Sequence, residues 1–230
     1  MNKKWLWLAV VSFAAAMAWV ESSVVFYLRT MVDRIEPYQA FPLPVFGGLG
    51  LAELVRELAT MIMLAIVGIL AGKNFKSRFG CFLLAFGAWD IFYYVFLKIL
   101  TGWPHNIGDW DILFLIPLPW WGPVWAPMAI ALLMIFWGTL ATQNDVLELP
   151  GWRICAINVL GGVIALYAFM EDAIQVSFAG GNLRHMLPAS FNWPLFMVGL
   201  GLMSLPVLIA ASQSWKKSVI FEPAPLEERS

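Results

Sequence analysis

Five carboxylates sit where ionised side chains are costly. Glu21, Glu57, Asp90, Glu171 and Asp172 each fall inside an apolar stretch long enough to cross a bilayer. A charge at such a depth costs roughly 2.5–3.5 kcal/mol on insertion scales, so each carboxyl must face protein, water or a ligand. The chemistry open to it there is reversible protonation or the binding of a cation.

Their surroundings sharpen this expectation. Asp90 and Tyr94 are one helical turn apart, with Tyr93 beside them, so a phenol can share the face of the carboxylate. Glu53, Arg56, Glu57 and Thr60 follow an i, i+3, i+4, i+7 pattern that makes one polar stripe. Arg56 is thereby placed to neutralise an acid on a neighbouring helix. Asn158, Gly162, Ala165, Phe169 and Asp172 form a second stripe, small or polar for most of its length, suited to packing or to a cavity wall. At ~1.5 Å per residue, Glu21 stands about 25 Å above Lys4, Asp90 about 18 Å above Arg78 and Glu171 about 27 Å above Arg153. Glu57 enters from the opposite side, so four helices bring acids to one layer.

The expected substrate- or cation-binding set is therefore Asp90, Tyr93, Tyr94, Glu21, Glu57, Arg56, Glu171 and Asp172, with Asp90 deepest. The competing reading makes Arg29, Arg56 and Lys98 the partners of those acids in a purely structural clamp.

Other chemistries find little support. There is no G-x-S-x-G elbow, no H-E-x-x-H and no Walker loop, so no catalytic residue is assigned and the enzyme reading is disfavoured. His105 and His185 both map to connections, which excludes an intramembrane bis-histidine haem. A two-histidine metal site completed by Asp109 or Asp111 is a weak alternative, and no metal or cofactor is expected. The two cysteines, Cys81 and Cys155, are too few for a disulfide framework. A formal charge of -1 offers no field for nucleic acid. Trp103, Trp110, Trp120, Trp121 and Trp125 cluster in one region, either as an interfacial belt or as an aromatic cage.

The elements that must position these residues follow from composition. Of the 230 residues, 61% are hydrophobic and only 13% charged, against roughly 25% charged in a soluble domain. Hydropathy and breakers give six spans near 5–32, 51–72, 79–100, 122–141, 154–176 and 193–211 in a single domain, 1–220. The first is read as a retained helix rather than a cleaved signal, because apolar character resumes beyond Glu21-Ser22-Ser23. The connection 37–50 is rich in proline and glycine, and the apolar run 112–116 is too short to span, so it is expected to be interfacial or re-entrant. Gly68 and Gly72 permit close helix contact within or between chains. The tail 221–230 is expected to be disordered.

Counted by alternate sides, nine basic residues fall with the termini and five opposite. Both termini are thus expected in the cytoplasm and the acidic layer in the outer half of a bacterial inner, or plasma, membrane. The class is all-α, a polytopic membrane protein of six helices. The function expected is a small-molecule or ion permease, or a component of one, with an outward-facing acidic cavity. Its alternatives are a membrane-embedded enzyme on lipid-linked substrates and an accessory subunit of a membrane complex. The partners are membrane lipids and a cation, proton or small molecule, in a homo-oligomer or a larger complex.

Overall fold

The computed structural model describes residues 2–39, 47–145, 147–181, 187–188 and 190–220, with the backbone alone at 47–49 and 214–220. The tail 221–230 and His185 lie outside the described residues. Six helices carry the chain: α1 (Lys3–Met31), α2 (Gly47–Ala71), α3 (Phe75–Thr101), α4 (Trp125–Gln143), α5 (Trp152–Phe178) and α6 (Trp193–Ile220). All six are long and apolar enough to cross a membrane, which makes this a multi-pass membrane protein.

The helix limits have local causes. Asn2 caps α1, its side chain accepting from the Lys4 amide. Asn74 and Ser77 form a reciprocal capping box that starts α3 four residues before the span expected from hydropathy. Gly102, at φ 78°, ends the same helix in the left-handed conformation that glycine adopts without strain. Hydroxyls within the apolar stretches bond back along their own helices, Ser23 to the Trp19 carbonyl and Thr30 to that of Phe26. Water is not needed to satisfy them.

Small residues set the packing. A Cβ added at Gly138 of α4 would lie 2.6 Å from the Gly80 carbonyl oxygen of α3, and one at Gly161 of α5 would lie 2.7 Å from that of Gly199 in α6. Close backbone approach of this kind is how helices associate where lipid supplies no hydrophobic drive. Gly68 and Gly72 work likewise within the chain, against Phe82 and Arg78 of α3. At one end of the bundle, Lys3 pairs with Asp145, while the Lys76 ammonium donates to the carbonyls of Asn144, Asp145 and Leu147. The hydrogen bond and charge of Lys3 hold the Asp145 carboxyl below its ordinary range.

The other end holds the only strands among the described residues. Residues Trp110–Phe114 (β1) and Trp120–Pro123 (β2) form an antiparallel hairpin. Asp111 stands opposite Gly122 and Ile112 opposite Trp121, and the register is irregular between Ile112 and Phe114. The fourth span thus begins at Trp125 and not at Gly122, which belongs to the hairpin. Pairing satisfies backbone groups that an irregular segment would leave open. Gly122 is required by the packing, since a Cβ there would meet the Phe169 ring of α5 at 2.7 Å.

Candidate functional site

The hairpin closes over a cavity of about 320 Å³ bounded by α1, α2, α3, α4 and Phe169 of α5. Six of the eight sequence-predicted residues line it: Glu21, Arg56, Glu57, Asp90, Tyr93 and Tyr94. The polar stripe of α2 faces inward as its spacing requires. Glu21 of α1 accepts from both Arg56 and Thr60 of α2. Arg56 also holds Glu53, with Nη2 at 2.8 Å and Nε at 3.0 Å from the same oxygen. Both Glu57 oxygens accept from the Leu115 amide, at 2.9 and 3.1 Å, which ties the hairpin tip to α2.

Two expected members are elsewhere. Glu171 and Asp172 do not line the cavity; Glu171 accepts instead from the Asn192 amide at 2.9 Å. Of the α5 stripe that carries Asp172, Asn158 serves the α5–α6 contact by donating to the Met203 carbonyl at 3.1 Å, while a Cβ on Gly162 would meet nothing within 4 Å. Of that stripe only Phe169 reaches the cavity.

Asp111 and Arg34, neither in the expected binding set, also line the cavity. Asp111 is 1% exposed, and its Oδ1 accepts from Arg29 Nη2 at 2.9 Å and from the Ile112 amide at the same distance. Burial pushes its carboxyl above the ordinary range, and the Arg29 charge only partly offsets this. Arg29 is fully engaged. It donates to the Ile35 carbonyl at 3.2 Å and lies over the Trp103 ring, 4.5 Å from its centroid. The signal for Asp111 lay in the alternation Trp110-Asp111-Ile112 ahead of Pro117 and Pro119, a strand with one polar inward position.

Of the histidine–aspartate metal alternative, His185 lies outside the described residues. His105 pairs with Glu36 at 3.0 Å on the exposed surface, while Asp109 accepts from the amides of His105 and Asn106 and from the Asn106 side chain. Among the described residues no three histidine, cysteine or acidic side chains converge on a metal position. Both cysteines are free, Cys81 buried and Cys155 exposed. Trp103 and Trp121 are buried in the protein rather than turned to lipid, and Trp125 stacks on Trp193 with centroids 4.7 Å apart.

Asp90 decides the character of the site. Of the three guanidinium groups that line the cavity, Arg29 is committed to Asp111 and Arg56 to Glu21 and Glu53, and Arg34 makes no ion pair with Asp90. Its Oδ2 is buried with no hydrogen-bond partner among the described residues. A buried polar atom left so costs ~1–3 kcal/mol, more when charged, which a packed protein rarely tolerates without a use. No family, curated protein or solved structure matches this chain. The site must be read from its own geometry.

Proposed function

We propose that the protein is a permease, or the membrane component of one, in a bacterial inner membrane. Both termini are cytoplasmic, and the hairpin-end cavity opens outward to bind a cation-bearing solute at Asp90. The observation that carries this reading is the lone Asp90 carboxylate, unpaired although three arginines line the same cavity. Five acids and three arginines line that cavity, an excess of two negative charges that a bound cation or proton would reduce. Tyr93 and Tyr94 line the same cavity, and their hydroxyls add polar groups to its wall. The Arg29–Asp111 and Arg56–Glu21 pairs supply the structural clamp, so clamp and binding site coexist in different residues.

Tryptophan fluorescence tests this directly, because Trp89 and Trp120 line the cavity. Titration of the detergent-purified chain with small organic ammonium salts should give a saturable change. The Asp90→Asn variant, with wild-type helicity and elution profile, should lose it. An unchanged response in that variant would remove Asp90 from the site.

A further inference from the structure

Six buried side-chain polar atoms lack a hydrogen-bond partner among the described residues, and five of them belong to residues that line this one cavity. They are of two kinds. Asp90 Oδ2 and Asp111 Oδ2 are acceptors without donors, whereas Arg34 Nη1, Trp89 Nε1 and Trp120 Nε1 are donors without acceptors. A bare cation or a proton would serve only the first kind. Arg34 makes no ion pair with the cavity's acids, all of which except Asp90 are held by other groups.

The size of the space points the same way. A water needs about 10–15 Å³ of such volume, so about 320 Å³ accommodates an organic molecule of many atoms. Its wall is a continuous run of rings: Phe82 against Phe86 at 6.0 Å, Phe86 against Trp89 at 5.6 Å, Trp89 against Phe114 at 6.4 Å and Phe114 against Trp120 at 5.0 Å. Such a wall is suited to a flat apolar body.

We infer that the ligand is a small zwitterion with an apolar or aromatic body. Its ammonium group meets Asp90, its anionic group meets Arg34 and the indole N–H donors, and its body lies along the rings from Phe82 to Trp120. The inference rests on the cation-binding reading of Asp90 and adds the anionic group and the apolar body. Three probes that share one ring separate the two: L-phenylalanine carries both charges, 2-phenylethylamine only the ammonium, and 3-phenylpropionate only the carboxylate.

Calorimetric titration of the full chain in detergent at neutral pH should show L-phenylalanine binding at least tenfold more tightly than 2-phenylethylamine, and 3-phenylpropionate weakest. Arg34→Gln should bring L-phenylalanine down to the level of the amine without changing the amine itself. Asp90→Asn should abolish both. If the amine binds as tightly as L-phenylalanine and both depend on Asp90, the zwitterion inference falls while the cation reading stands. If no probe binds, or binding ignores Asp90→Asn, both fall and the cavity holds water alone.

Discussion

Two aspartates share the cavity, and the same substitution at each should have very unequal consequences for stability. Asp111 is the buried partner of Arg29, with side-chain exposures of 1% and 9% and a 2.9 Å contact. Asp111→Asn removes the charge and leaves the guanidinium buried beside a neutral amide. Breaking a buried pair from one side costs about 3–5 kcal/mol. Asp90 has no cation to strand, so Asp90→Asn removes an uncompensated charge and should shift stability by no more than about 1 kcal/mol in either direction. At about 2–4 °C per kcal/mol for a chain of this length, Asp111→Asn should lower the thermal midpoint by roughly 6–20 °C and Asp90→Asn should stay within roughly 4 °C of wild type.

The assay is thermal unfolding of the detergent-purified variants, followed by circular dichroism at fixed pH and detergent. A third protein guards the interpretation. The double variant Arg29→Met with Asp111→Leu removes both charges, so it should recover much of the loss seen in Asp111→Asn, because isosteric apolar replacement of a buried pair is often neutral or better. Equal losses at Asp90 and Asp111 would mean that Asp90 is held by a partner after all. A larger loss at Asp90 would make it the structural residue and refute the assignment of function to it.

Two further outcomes follow from the hairpin end. Glu57→Ala removes the side-chain acceptor of the Leu115 amide; a hydrogen bond to a charged acceptor contributes about 1.5–3 kcal/mol, so hydrogen exchange at Leu115 should accelerate by roughly 10–100-fold while exchange in α3 is unaltered. Ile107 is 63% exposed beside the hairpin, so Ile107→Cys in a cysteine-free background should react with a membrane-impermeant maleimide in intact cells. Labelling only after permeabilisation would invert the proposed orientation.

How much of the site was legible depends on which coordinate of a residue is asked for. Height along a helix is written in the sequence, because the rise per residue is fixed, and counting placed Glu21 and Asp90 in one layer, where both line the cavity. That Arg56 neutralises an acid on a neighbouring helix followed equally from the spacing along α2, although the spacing did not name that acid as Glu21. Asp111 and Arg34 escaped because they lie outside the spans, on a hairpin whose apolar run hid its alternation and on the connection after α1.

Glu171 and Asp172 were misplaced for a different reason, since their height fits the layer and only their direction does not. Direction is set by the small residues that lock a helix to its neighbour. Gly161 marks the side of α5 turned to α6, its added Cβ meeting the Gly199 carbonyl. At ~100° per residue, Asp172 returns to within about 20° of Gly161, while Phe169 and Glu171 stand about 80° to either side. Asp172 therefore stands on the Gly161 side of α5 and does not line the cavity. Phe169 takes the flank that meets the hairpin, and Glu171 the opposite flank, where Asn192 at the entrance to α6 donates to it. The glycine was visible in the sequence, but which of Gly161 and Gly162 faced a partner was not. A Cβ on Gly162 meets nothing within 4 Å, and a one-residue error in that choice turns the whole face by ~100°.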